Sequence, residues 1–160
     1  MHTIAQSQIA PFAGNRFSLD GPTINVRPDV AQVLSMVFHE LATNAAKYGA
    51  LSTGEGTVSV TWRFMEDDQK RLSIQWQELK GPPVMPPQRR GFGSTVVERM
   101  ALQISDSSAS LKYIAAGVIW YLEAPLDSFV SPARSEFGDP HDVHQGLADY
   151  VGSDLKQREH

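Results

Sequence analysis

The 160-residue sequence predicts an α+β two-layer sandwich, a mixed and mostly antiparallel sheet of about five strands with its helices on one face. Three observations predict it. One long amphipathic helical pattern runs from Pro28 to about Tyr48. Strict alternation at 58–64 is answered by alternation at 72–76 across a charged turn. A second strand pair, 111–114 and 118–122, follows another helical pattern at 95–102.

Composition bounds the rest. An apolar fraction of 41% and a charged fraction of 20% belong to an ordinary globular chain, large enough for a core of its own. There is no cysteine, which excludes a disulfide scaffold, a thiol nucleophile and a zinc–thiolate site. No apolar run reaches membrane-spanning length and no secretory leader pattern is present, so a cytoplasmic domain without membrane contact is expected. A net charge of -4 argues against a nucleic-acid partner. Seven acids against three basic residues after Pro125 carry that charge, with eleven of each before it.

Met1–Ala10, closed by Pro11, reads as the end of an upstream helix or a mobile terminus. Arg16–Leu19 and Ile24–Val26 alternate around Asp20-Gly21-Pro22 and read as a small hairpin or two short strands. Pro28 suits the first turn of the long helix and Gly49 its stop. Along that helix Val30, Val33, Leu34, Val37, Phe38, Leu41 and Ala45 form one buried stripe. Glu40, Asn44 and Lys47 form a second stripe, roughly 90° around at 100° per residue. An acid, an amide and an amine at the edge of a core are costly to half-bury without partners. They are either a solvated helix edge or a binding edge.

Val58, Val60, Trp62 and Phe64 alternate with Thr57, Ser59, Thr61 and Arg63, and Glu66–Gln69 makes the turn to Leu72, Ile74 and Trp76. If that second strand persists, Glu78 points to the same apolar face and needs a donor. Lys80 or an arginine is one source, a ligand amino group another. Lys80–Arg90 is proline-rich and extended. Gly91-Phe92-Gly93-Ser94 leads into the helix at 95–102, where free backbone N–H groups suit a phosphate or simply a capped turn. The strand 118–122 is apolar on both faces, which predicts a central position. Beyond Pro125, Val143, Leu147, Tyr150, Val151 and Leu155 keep helical spacing after Asp139-Pro140, giving a docking helix at 140–157 that Gly146 and Gly152 weaken by about 1 kcal/mol each. His141, His144 and His160 read as exposed.

Taken together, these segments resemble the ATP-binding domain of the GHKL superfamily, and within it the HWE subgroup of bacterial sensor histidine kinases. The resemblance is carried by His39-Glu40-Leu41-Ala42-Thr43-Asn44-Ala45-Ala46-Lys47-Tyr48-Gly49-Ala50-Leu51-Ser52, by Trp76-x-Glu78, and by Gly81-Pro82-Pro83-Val84 and Gly91–Ser94. It covers roughly 11–125. The implied organisation is a linker end at 1–12 from a missing dimerisation and phosphoacceptor domain, a catalytic domain at 13–125 and an acidic tail at 126–160. The resemblance implies ATP and Mg²⁺ as cofactors. Asn44 would ligate the metal, Glu40 would orient or deprotonate the attacking group, and Lys47 would neutralise phosphate charge. Glu78 would accept from the adenine amino group where relatives have aspartate. Tyr48, Gly81, Gly91, Phe92, Gly93 and Ser94 would complete the nucleotide site, with 81–90 as the lid. His39 and Trp76 are family markers without an assigned role, and His39 is not the phosphorylated histidine. The implied partners are the missing domain, a response regulator and a second copy of the full-length kinase.

The chain departs from the family pattern in three places. Leu79-Lys80-Gly81 keeps one glycine of the usual pair, and Lys80 either clashes with the adenine pocket or reaches a phosphate. Ile104-Ser105-Asp106 stands where further glycines are expected. No helix with a phosphoacceptor histidine precedes Pro11. Lys80 and the tail keep open a binding module of the same fold without nucleotide, acting like a histidine phosphotransferase. A stand-alone serine kinase of the anti-sigma type is disfavoured by Trp76-x-Glu78.

Overall fold

A computed structural model describes residues 1–65, 70–83 and 92–130, with side chains in the last segment described from 97 onward. The expected turn at 66–69, residues 84–90 of the expected lid at 81–90, Gly91, and the tail helix at 140–157 with the tail histidines lie outside the described residues. The element order is α1 (His2–Ala13), β1 (Phe17–Asp20), α2 (Pro28–Lys47), a 3₁₀ turn (Ala50–Ser52), β2 (Thr57–Phe64), β3 (Arg71–Leu79), α3 (Phe92–Ala101), β4 (Ser108–Ile114), β5 (Gly117–Pro125) and α4 (Leu126–Phe129). The five strands form one sheet in the order β1-β2-β3-β5-β4. Three of its pairings are antiparallel and β1 runs parallel to β2. This is the expected α+β architecture, and β5 is indeed an interior strand. No described helix is long and apolar enough to cross a membrane.

Alternation decides which face is covered. Val58, Val60 and Trp62 on β2, Leu72, Ile74 and Trp76 on β3, and Trp120, Leu122 and Ala124 on β5 are all buried. Their neighbours Thr57, Ser59, Thr61, Ser73, Gln75 and Gln77 stay partly exposed on the far face. Against the apolar face lies α2, whose Val30, Leu34, Val37, Phe38, Leu41, Ala42 and Ala45 are buried. Phe38 meets Trp120 edge to face at 6.4 Å.

Two expectations are corrected. The segment at 24–26 forms no strand; instead β1 alone joins the sheet, pairing Phe17 with Val58 and Leu19 with Val60. The reason is Trp62. Its Nε1–H donates to the Pro22 carbonyl at 2.7 Å, and its ring fills the space a Cβ on Gly21 would need. The chain after β1 is thereby held against Trp62. Nor does Pro11 close the first segment. It lies inside α1, which ends one turn later at Gly14, whose φ of 59° suits glycine. Ala5, Ile9 and Ala13 of α1 are buried in the common core, so this segment is a packed helix, not a mobile terminus.

Candidate functional site

The C-terminal half of α2 carries the polar edge. Glu40 and Asn44, one turn apart, are half-buried, and the Asn44 Nδ2–H donates to Glu40 Oε1 at 3.1 Å. With its amide nitrogen held this way, Asn44 turns Oδ1 to a different direction, and no described residue donates to it. A hard oxygen of that kind suits Mg²⁺, which takes one or two protein oxygens and fills its octahedron with phosphate and water. No cluster of three acidic or histidine side chains suited to a metal occurs among the described residues, so any cation here depends on ligand oxygens as well. Lys47 is exposed, as is Tyr48, at 76% of its surface.

Glu78 is the buried acid of the molecule's described part, 3% exposed on the inner face of β3. The alternation that predicted this holds through Leu79. Among the described residues its donor is neither Lys80 nor an arginine. The Ala50 N–H, at the start of the 3₁₀ turn, donates to Glu78 Oε2 at 2.8 Å. Burial pushes the Glu78 carboxyl above its ordinary value, and the Ala50 N–H pulls the other way. Trp76 Nε1 exerts a weaker pull in the same direction without forming a hydrogen bond of good geometry. Trp76 is itself fully buried, opposite Trp120 across the β3–β5 ladder.

The turn that supplies this donor is tied down by residues the sequence did not single out. The Arg16 guanidinium donates to the carbonyls of Leu51, Thr53 and Gly56. Thr53 Oγ1 accepts from the Gly56 N–H at 3.1 Å, and its own hydroxyl lies between the Ala50 carbonyl at 3.1 Å and the Lys80 carbonyl at 3.3 Å. The end of β3 is therefore fastened to the loop after α2. An arginine ahead of a short strand gives no local hint of this role, because its three acceptors lie 35 to 40 residues away.

Gly81 and Lys80 have opposite histories in this loop. A Cβ at Gly81 would come within 2.7 Å of Ala50 Cα, so the backbones meet only because Gly81 has none. Lys80 adopts φ 57°, a conformation that favours glycine, with its side chain exposed. A left-handed conformation costs an L-residue about 1–2 kcal/mol, and a glycine gives back about 0.5–1 kcal/mol in unfolded-chain entropy. Lys80→Gly is therefore expected to stabilise the chain by about 0.5–1 kcal/mol in urea unfolding. A destabilised variant would show that the lysine side chain makes a contact worth more than the strain.

The remaining candidates are placed as follows. Phe92, Gly93 and Ser94 form the first turn of α3, three residues earlier than expected, and α3 packs beside α2. Gly91 lies outside the described residues. His39 is exposed and meets Phe12 of α1 edge to face at 5.5 Å. With Gln8, Ser35, Met36, Glu40 and Met100 it lines an open groove. The structure thus brings Glu40 and Asn44 into contact and sets Glu78 against the turn that follows Tyr48.

No protein-family model matches the sequence. The chain is 38% identical over 133 residues to a blue-light-activated histidine kinase of Brucella ovis, a match covering 81% of this chain and 27% of that protein. It is 33% identical over 140 residues to the protein of the same name from Brucella anthropi, covering 85% and 28%. The chain thus spans little more than a quarter of the length of these relatives. Among solved structures, the histidine kinase domain of the Erythrobacter litoralis blue-light-activated histidine kinase superposes with a TM-score of 0.58 at 17% identity, over 79% of this chain and 59% of that one. The catalytic domain of the histidine kinase ThkA gives 0.56 at 13% identity, over 78% and 92%. ThkA in complex with the response regulator TrrA gives 0.57 at 14% identity, over 80% and 41%. The sequence likeness to these histidine kinases thus extends over four-fifths of this chain, and the fold beneath it is the one their solved catalytic domains share.

Proposed function

We propose that the chain is the ATP-binding part of an HWE-type sensor histidine kinase, which passes the γ-phosphoryl of Mg-ATP to a histidine on a separate dimerisation domain. The observation that carries this reading is the Glu40–Asn44 hydrogen bond, which leaves an amide oxygen without a donor among the described residues, on a helix edge that ends beside a buried carboxylate. Glu78 accepts from the adenine amino group with the oxygen that Ala50 leaves open. Tyr48, Gly81 and the 91–94 segment flank the nucleotide, and Lys47 offsets phosphate charge. Asn44 is the residue that would hold Mg²⁺, whose charge would screen the triphosphate oxygens when bound. Glu40, fixed by its bond to Asn44, lies on the same edge to orient the attacking imidazole and take its proton.

By the same reading the phosphoryl group goes on to a response regulator, as the ThkA complex with TrrA suggests by analogy, and the full-length kinase acts as a cytoplasmic homodimer. Lys80 is solvent-exposed, which supports nucleotide binding over the degenerate module. Calorimetric titration of the chain with ATP and Mg²⁺ tests the proposal. Binding in the micromolar to low millimolar range is expected; none at millimolar nucleotide would overturn it. Acid-labile radiolabel on a supplied dimerisation domain would then identify histidine as the acceptor.

A further inference from the structure

Gly49, read in the sequence only as a helix stop, occupies a position that helix termination does not explain. Its φ of -108° and ψ of -151° are extended values open to any residue, so it is not glycine for its backbone conformation. Space is the reason. A Cβ at Gly49 would collide with Glu78 Oε2 and stand 2.9 Å from Cδ and 3.0 Å from Ala45 Cα. The next residue, Ala50, donates the hydrogen bond that holds that same oxygen. The missing side chain at 49 and the long side chain at 78 fill one volume, pressed against the end of α2.

We propose that Gly49 is a positioning residue, and that it sets the length of the acid at 78. Without a Cβ at 49, a glutamate reaches the Ala50 N–H and is held in one rotamer. With a Cβ there, the space is enough only for an acid one methylene shorter. The choice between glutamate and aspartate at the base-recognising position is thus made from behind the carboxylate, by the residue after Tyr48. This inference rests on the nucleotide reading for its effect on affinity, but the steric pairing does not depend on a ligand.

Three variants of the full chain test it: Gly49→Ala, Glu78→Asp and the two combined. Each is titrated with ATP and Mg²⁺, unfolded in urea without ligand, and followed at the Ala50 amide proton by NMR. Gly49→Ala is expected to displace the carboxylate, shift the Ala50 proton upfield and weaken ATP binding by about tenfold or more. The double variant is expected to bind ATP about tenfold more tightly than Gly49→Ala and to unfold at higher urea, because the shorter acid vacates the room the new methyl takes. Rescue is the diagnostic result, since a general disturbance of the loop would make the two substitutions add. Should Gly49→Ala fail to fold, the double variant is expected to fold. Parent-like ATP affinity and Ala50 shift in Gly49→Ala would overturn the proposal, as would a double variant no better than Gly49→Ala. If the parent chain binds no ATP, the nucleotide reading fails alone, and the unfolding midpoints and Ala50 shifts still decide the pairing.

Discussion

An Asn44→Ala variant is expected to lose Mg²⁺-dependent ATP affinity by about 100-fold or more while keeping the parent's stability to within about 0.5 kcal/mol. The two halves of that expectation have separate causes. The substitution removes the oxygen proposed to hold the cation, and with it the link proposed between α2 and the triphosphate. For the fold, alanine gains about 0.6 kcal/mol in helix propensity over asparagine, and the lost bond to the half-exposed Glu40 costs about as much. Titration with and without chelator separates cation-dependent affinity from the rest, and the gap between those curves should close in the variant. A gap of parent size would move the metal to another residue.

Glu78→Gln is expected to trade affinity for stability. In the folded chain burial holds the Glu78 carboxyl above its ordinary value, so the folded state keeps a proton that the unfolded state has already released. Stability conferred on the folded state by that proton is therefore present below the ordinary glutamate value. It declines as pH rises from there to the raised folded value, and above that window the ionised group is a constant penalty. Glutamine removes the penalty, so the variant should be the more stable protein at neutral pH, with the difference shrinking towards the acid end of the window. Its ATP affinity should fall by about 100-fold. The Ala50 N–H demands the amide oxygen, which turns the amide nitrogen towards the ligand, where a donor would face the adenine amino group. Urea unfolding across the pH range and nucleotide titration at neutral pH check both parts; stability that does not depend on pH would place the carboxyl in a wetter setting than its burial indicates.

How far the site could be read in advance depended on whether its geometry is local. The α2 stripe and edge follow from helix spacing alone, and so does the Glu40–Asn44 pair one turn apart. Glu78's face followed from alternation with Trp76, because strand period is set by the backbone. What escaped were relations between distant segments. The Ala50 donor, the Arg16 tie and the steric fit of Gly49 each join positions 28 to 40 residues apart, and no periodicity carries them. The parallel pairing of β1 with β2 is of the same kind, since an edge strand's partner is chosen by tertiary packing. The α1 segment was ambiguous because a short helix containing proline is stable only when docked, and its docking face is α2.

The three tryptophans, Trp62, Trp76 and Trp120, are all fully buried on the inner face of the sheet, and Trp76 stands two residues from Glu78 on the same face. The chain therefore carries its own optical probe. Its emission reports on the interior of one sheet face with no contribution from surface indoles, so unfolding appears as a single red shift. A base settling beside Glu78 would register through Trp76 as quenching, letting every titration described above be read without a label.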